Sequence, residues 1–345
     1  MNYIINDIRV FLIRLFYSHW MRKNRSLEPG YTILLPTPSD LPVFLSLALE
    51  VISKQNQAHL KEIIVIPDWP SPKFEKYFEI FLNPIKCAPI RFVNITSADK
   101  LAWKLTKSIT TRHFTQIVRG IDETTTQHAL IHDSDLFLPP GDFLLRQFLT
   151  CRDNNLVVYG LDMRRSLSRF DRKEFVATWE MTCSTNWFRS FPPYMHKGQV
   201  IKINGRRQEF DTTLLPQYLT DPSHISWKDR NNEYVHFNYV IASYRNFINK
   251  KRYIPAFSVK LFLIRTLVDV FDCTGWDYHG LPTHGEFLDG KHGVKELVAD
   301  KKHGARVFSE FRQRINKIID KNVFPKEKLN LIEQRTNEFL ESIGA

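Results

Sequence analysis

The sequence lacks the glycine-built phosphate cradles of the common nucleotide-binding folds. No Gly-x-Gly-x-x-Gly follows the first strand-like segment, which argues against a dinucleotide-binding Rossmann domain, and no Gly-x-x-x-x-Gly-Lys-Ser/Thr occurs, which argues against a phosphate-loop NTPase. A Gly-x-Ser-x-Gly hydrolase elbow is missing too. The cysteines Cys87, Cys151, Cys183 and Cys273 stand far apart without a Cys-x-x-Cys pair, so neither a zinc ribbon nor a disulfide framework is expected, and a reducing cytoplasm is the expected setting. Long apolar runs are absent: the best candidate, within residues 3–25, is short and carries Arg9 and Arg14, so it is not expected to span a membrane. Its start is also wrong for a secretory signal, which places positive charge ahead of its apolar stretch. There is no zinc-finger spacing, no aromatic-basic RNA signature and no basic groove-binding helix, so nucleic acid is not an expected partner. Internal repeats and low-complexity tracts are missing as well.

What is present describes a globular chain with an anionic partner. The 345 residues are 43% hydrophobic and 25% charged, enough for one large domain or two smaller ones. Aromatic residues make up 13%, Phe alone contributing 26, which suits a deep core and also stacking platforms for sugars or bases. A formal charge of +11 points to phosphorylated small molecules or an acidic membrane surface ahead of nucleic acid. Ile4, Ile8, Phe11, Leu12, Leu15 and Phe16 recur at helical spacing ahead of Arg22, Lys23 and Arg25. That amphipathic helix either attaches to an anionic membrane face or packs on the protein's own core.

From Tyr31 the pattern alternates between strand and helix. Tyr31–Pro36, Glu62–Pro67, Ile90–Ile95 and Ala129–His132 read as buried strands; Leu41–Ser53, Phe74–Leu82 and a stretch from a Ser97 or Asp99 cap to about Thr126 read as helices. Thr37-Pro-Ser-Asp40 reads as a loop and helix cap. Near-continuous apolar strands separated by helices imply a parallel sheet covered on both faces. A helix over Asp142–Arg152 and a strand over Leu156–Tyr159 follow. After Asp162 the regularity fades into a basic cluster of Arg164, Arg165, Arg169, Arg172 and Lys173, a solvated face or the lining of a cleft, and then an aromatic stretch from Phe175 to Tyr194. Val259–Phe271 reads as a buried helix, and residues 294–342 as charged helices. The expected organisation is an amino-terminal helix (1–28), an α/β nucleotide half (29–160), an irregular half (161–290) and a helical carboxyl-terminal segment (291–345).

The chemistry concentrates where the fourth strand ends, at His132-Asp133-Ser134-Asp135. Residues i and i+2 of an extended chain project to one side, so two carboxylates crowd there unless a cation lies between them. A hard divalent ion, Mg²⁺ or Mn²⁺, suits oxygen ligands, and open α/β sheets gather ligands at the carboxyl ends of their strands.

With those motifs, the first 160 residues resemble the GT-A glycosyltransferases, family-2-like sugar transferases in particular. The likeness rests on a first strand running into Leu35-Pro36-Thr37, a second ending in an acidic residue at Ile64-Val-Ile-Pro-Asp68, and the Asp-x-Asp of Asp133-Ser-Asp135. It covers about half the chain; beyond that only the order of parts agrees. The resemblance implies a GT-A-like, mostly parallel sheet flanked by helices, with an irregular acceptor half and C-terminal helices. It implies a nucleotide-diphosphate sugar donor, UDP- or GDP-linked, held by Pro36, Thr37, Asp68, Arg112, Asp133 and Asp135, with Arg119 a weaker candidate. It also implies a saccharide, lipid or protein acceptor. Asp133 and Asp135 would hold Mn²⁺ or Mg²⁺ with a later histidine, His236 first and His284 second. An inverting member needs a base from a Glu-Asp pattern, and this chain offers Glu209-Phe-Asp211 with one residue intervening; Asp211 is the first candidate, Glu209 or Glu180 the substitutes. Two other readings stay open: a sugar-nucleotide-forming nucleotidyltransferase, and a non-catalytic binding module on the same fold. The expected location is the cytoplasm, with the amino-terminal helix as the means of peripheral attachment to a membrane.

Overall fold

A computed structural model of the chain describes residues 8, 11–15, 26–69, 71–82, 87–106, 109–163, 175–203, 205–228, 233–250, 254–272 and 274–344. The basic cluster at residues 164–173 lies outside them, as do Arg22, Lys23, Arg25 and Cys273.

The first part alternates as its apolar periodicity requires: β1 (Glu28–Thr37), α1 (Val43–Ser53), β2 (Leu60–Pro67), α2 (Pro72–Leu82), β3 (Ile90–Phe92), α3 (Ser97–Thr106), α4 (Ile109–Glu123) and β4 (Thr126–His132). There follow β5 (Leu136–Phe137), α5 (Phe143–Asp153), β6 (Val158–Asp162), β7 (Val176–Ser184) and α6 (Thr185–Ser190). A hairpin of β8 (Gln199–Ile203) and β9 (Arg206–Phe210) leads to α7 (Leu214–Leu219), β10 (Ile225–Lys228) and β11 (Val235–His236). The remainder is helical: α8 (Val240–Ile248), α9 (Ser258–Phe271), α10 (His284–Leu288), α11 (Val294–Ala299), α12 (Lys301–Asp320) and α13 (Lys326–Ser342).

The main sheet runs β10-β6-β7-β4-β1-β2-β3. Every pairing in it is parallel except the two made by β7, which runs opposite to β4 and β6. The mostly parallel sheet flanked by helices is therefore present, with one antiparallel strand in the stretch that reads as irregular in the sequence. The reason is physical: β7 is buried on both faces, yet it carries Thr178, Glu180 and Thr182 inside, so apolar periodicity cannot mark it. Two of those polar groups are partnered, Thr178 Oγ1 donating to Thr212 O at 2.6 Å and Glu180 meeting His132 at 2.6 Å.

Two layers cover the sheet. On α4 the residues Phe114, Ile117, Val118 and Ile121 recur at helical spacing and pack in one cluster with Leu34, Ile64 and Ile66 of the strands. The opposite face carries α1 and the carboxyl-terminal helices, with Phe262 of α9 stacked on Phe339 of α13 at 4.1 Å.

Two caps differ from the sequence expectation. The helix near residue 97 is capped by Thr96, whose Oγ1 accepts from Asp99 N–H while Asp99 accepts from Thr96 N–H, the two halves of a capping box. Ser39 and Asp40 do not cap α1; they bond to Asp68 and Arg245 instead. At the amino terminus, Ile13 is buried in the cluster with α4, and the Arg14 guanidinium sits 4.2 Å over the Tyr194 ring. Ile8, Phe11 and Leu15 remain exposed at 54%, 65% and 60%.

Gly160 allows β6 and β7 to approach: a Cβ there would lie 2.3 Å from Glu180 O and 2.7 Å from Val176 Cγ1. We expect Gly160→Ala to destabilise the protein by about 1–3 kcal/mol, the usual cost of forcing a packed interior apart. A thermal melt within a degree of wild type would show that the strands can separate freely at this point.

Candidate functional site

A cavity of about 370 Å³ opens at the carboxyl ends of β1, β2 and β4. Pro36 and Thr37 enter it from the end of β1, Asp68 from the end of β2, and Asp133, Ser134 and Asp135 from the turn after β4. Helix α4 contributes Arg112, His113 and Gln116, interleaved with the first of the apolar positions that bind it to the sheet. The loop after β9 contributes Asp211 and Thr212, and the β11–α8 segment His236, Tyr239 and Arg245. Of the donor and metal candidates named from sequence, Pro36, Thr37, Asp68, Arg112, Asp133, Asp135 and His236 all line this one cavity, together with Asp211.

The aspartate pair sits in a turn, not in extended strand: the Asp133 carbonyl accepts from Leu136 N–H, and the chain then forms β5. Backbone pairing brings the histidine. His236 lies opposite Leu136 in the antiparallel β11–β5 pair, so its ring arrives beside Asp135, with Nε2 3.2 Å from Oδ1. Trp179 backs the ring at 4.3 Å, and Trp179 O accepts from Asp133 N–H. Asp133, Asp135 and His236 each offer a ligand atom within 4.8 Å of the others, the one such group of three among the described residues. Two carboxylate oxygens and an imidazole nitrogen fit Mn²⁺ or Mg²⁺, and the buried His236 Nδ1 leaves Nε2 facing the carboxylate side.

The remaining candidates lie elsewhere. Glu209 is exposed on β9, opposite Val200 in the hairpin, and does not line the cavity. Glu180 is buried beneath it against His132, and burial raises its pKa, the neighbouring imidazole opposing. Arg119 is held by Asp99 at 2.7 Å. His284, at the start of α10, pairs with Glu338 at 3.2 Å and is absent from the cavity lining.

Asp211 is positioned by its surroundings. It follows the last residue of β9, its Oδ1 accepts from Thr212 N–H at 2.7 Å, and the next residues are tied down by Thr178 Oγ1 on Thr212 O and Thr213 N–H on His196 O. Thr213 adopts a left-handed φ of 65°, a conformation that persists only where the surroundings fix it.

Nothing in the sequence marks several other groups. His113 Nε2 lies 3.3 Å from Asp133 Oδ1; burial disfavours its charged form, but the hydrogen bond and charge of Asp133, with Asp211 and Asp135 beyond, raise its pKa overall. Gln116 Nε2 donates to Thr37 O at 3.1 Å and Ile66 O at 2.6 Å, fastening the ends of β1 and β2 together. Lys260 donates to Asn238 O at 2.6 Å, and burial together with Arg314 pushes it down to about 8, against the pull of Asp135. Arg245 joins Asp68 and Asp40. The periodicity of α4 could have flagged His113 and Gln116, since they share its sheet-facing side; the others depend on long-range pairing.

No family model matches the chain, and no curated protein matches it in sequence. Among solved structures it is similar to S. aureus TarS, at 12% identity and a TM-score of 0.37 over 91% of this chain and 54% of that one. It is also similar to the galactosyltransferase LgtC in complex with donor and acceptor sugar analogues, at 14% identity and a TM-score of 0.37 over 48% of this chain and 62% of that one. A third is core-mannan synthase A of Aspergillus fumigatus in its Mn/GDP form, at 8% identity and a TM-score of 0.32 over 48% and 62%. The chain thus spans about half the length of TarS and under two thirds of the other two. The likeness concerns fold; the chemistry rests on the residues of the cavity.

Replacing Asp135 or His236 by alanine is expected to lower Mn²⁺ affinity at least tenfold by calorimetry, since each removes one of three ligands. Wild-type Mn²⁺ affinity in both variants would show that the ion does not sit here.

Proposed function

We propose that the protein is a metal-dependent glycosyltransferase that moves a sugar from a nucleotide-diphosphate sugar to a hydroxyl-bearing acceptor. The observation that carries this is the meeting of Asp133, Asp135 and His236 with a separate carboxylate, Asp211, in one cavity at the carboxyl edge of the sheet. Asp133, Asp135 and His236 would hold a divalent ion, which would supply positive charge against the diphosphate of a bound donor. TarS in complex with UDP-GlcNAc and core-mannan synthase A in its Mn/GDP form are structures holding a donor and an ion of this kind.

The chain's own residues divide the remaining work. Pro36, Thr37, Asp68 and Arg112 border the nucleoside end. Asp211, exposed within the cavity, takes the acceptor proton in an inverting transfer. The acceptor oxygen bonds to the anomeric carbon as that carbon's bond to the phosphate oxygen breaks, and the nucleoside diphosphate leaves with the bonding electrons. A nucleotidyltransferase would need a basic, glycine-rich loop after β1, whereas Ser39 and Asp40 stand there, engaged with Asp68 and Arg245. The binding-module reading is separated by turnover.

Asp211→Asn is expected to keep UDP- or GDP-sugar binding while turnover falls by about a hundredfold or more. Wild-type turnover in that variant would remove Asp211 from the mechanism, and wild-type turnover in Asp135→Ala would remove the ion.

We also infer that the amino-terminal helix attaches the protein to an anionic membrane surface. Ile8, Phe11 and Leu15 fall on one side of a helix, and all three are exposed, while Ile13 on the other side is buried in the core. Arg9, Arg22, Lys23 and Arg25 adjoin this stripe in sequence and supply the matching charge. Phe11→Glu should weaken sedimentation with phosphatidylglycerol vesicles severalfold and leave the melting temperature unchanged. Equal sedimentation of the variant and wild type would show that the stripe does not touch lipid.

A further inference from the structure

Tyr239 stands out in the cavity lining. It is 74% exposed, the highest value among the exposed large apolar side chains of the described residues, although it borders the cavity between His236 and Arg245 in the chain. Its backbone is also left-handed, at φ 65°, an outlier for a bulky side chain. Strain of this kind persists only where the surroundings fix it, and it gathers at ligand clamps and active sites.

The surroundings here are specific. Tyr239 O accepts from Ser243 N–H at 2.9 Å and from Ser243 Oγ at 2.7 Å, and Val240 N–H donates to Phe237 O at 3.3 Å. Lys260 of α9 donates to Asn238 O at 2.6 Å, and its ammonium lies 5.1 Å from the centre of the Tyr239 ring. The ring therefore has a cation on one face and solvent on the other. That cation lies within the field of Asp135. Arg245, which holds Asp68, comes six residues after Tyr239, roughly 9 Å along α8. The ring thus stands at the Asp135 end of the cavity, away from Asp68, and shares the lining with Asp211.

An aromatic ring kept in water by a strained backbone buries no apolar surface, so stability does not account for it. A sugar ring does. It offers a face of C–H groups to an aromatic surface and a rim of hydroxyls to polar groups, and Asn238, Asp211 and Thr212 line the same cavity. An acyl chain would instead need a wide apolar surface.

We propose that Tyr239 is the platform on which a sugar ring of the acceptor stacks, held in place by Lys260, and that the acceptor is a saccharide. The inference rests on the glycosyl-transfer reading above and names the acceptor class which that reading leaves open. Lys260 is a positioning residue, acting through Tyr239.

The test separates the two sides of the site. Calorimetry with UDP and GDP in the presence of Mn²⁺ reports the donor side. Saturation-transfer NMR with the methyl glycosides of glucose, galactose, mannose and N-acetylglucosamine, on protein saturated with Mn²⁺ and the better nucleotide, reports the acceptor side. Wild type is expected to bind at least one glycoside. Tyr239→Ala is expected to lose at least tenfold in that affinity and Lys260→Met severalfold, while Tyr239→Phe, which keeps the ring, stays within twofold of wild type. Nucleotide binding and melting temperature are expected to be unchanged by either substitution of Tyr239, since the ring is exposed. Three results overturn the proposal: no glycoside binds a wild type that does bind nucleotide, Tyr239→Ala keeps its glycoside affinity, or Tyr239→Ala loses nucleotide affinity as well, which would make the ring a nucleotide contact. A wild type that binds neither nucleotide sinks the donor reading itself, and this inference with it.

Discussion

Four carboxylates, those of Asp68, Asp133, Asp135 and Asp211, line one cavity, and their mutual repulsion must be relieved. The relief is uneven. Asp68 has a full guanidinium at 2.6 Å. Among the described residues, Asp133 and Asp135 pair with imidazoles, His113 at 3.3 Å and His236 at 3.2 Å, which neutralise a carboxylate only when protonated. Asp211 has a backbone N–H. The cavity is therefore permanently compensated at its Asp68 end and open to a further cation at its Asp133–Asp135 end. A ligand with a neutral head and an anionic tail accompanied by a divalent ion would match that gradient.

The parts that place this gradient differ in how plainly the sequence shows them. β1, β2 and β4 are apolar runs closed by Pro36, Pro67 and the Asp133 turn, and burial on both faces makes such strands legible without partners. Hence Asp133 and Asp135 could be found from local pattern alone, while the strand ends at Pro36, Thr37 and Asp68 gained a role only through the resemblance to the GT-A glycosyltransferases. β7 could not, because it carries polar residues inside, two of them satisfied by groups distant in sequence, Glu180 by His132 and Thr178 by the 212–213 turn. Arg245 was equally hidden: its role depends on partners 205 positions away. His236 occupies a middle case, since a histidine in an apolar segment was visible but its opposition to Leu136 was not. The acidic pair on β9 shows the limit of motif matching: strand alternation puts Glu209 on the exposed side of the hairpin, and only Asp211, beyond the strand end, turns into the cavity.

The buried His132–Glu180 pair explains why the metal-side groups sit so closely together. It joins β4 to β7 at the register point just before Asp133, and Trp179, the residue before Glu180, both backs His236 and accepts from Asp133 N–H. A pair fully removed from water is worth little as net stability but fixes register, because a slip would leave both groups unpaired. Gly160 belongs to the same device, since it admits β7 close enough for the pairing to form.

Helix α8 connects the two ends of the gradient. His236 precedes it, and Arg245 lies within it, five residues beyond its first residue, Val240. At 1.5 Å per residue that places Arg245 roughly 7.5 Å along the axis, the scale on which a nucleoside separates its base from its phosphates. A single rigid element from the second half of the chain therefore reaches both the Asp135 side, through β11, and the Asp68 side, through Arg245. The first half alone supplies these carboxylates with Arg112 and His113 beside them, but without Arg245 and His236. Its strand ends gather Asp68, Asp133 and Asp135 at one edge, and α8 completes the charge pattern of the cavity across them.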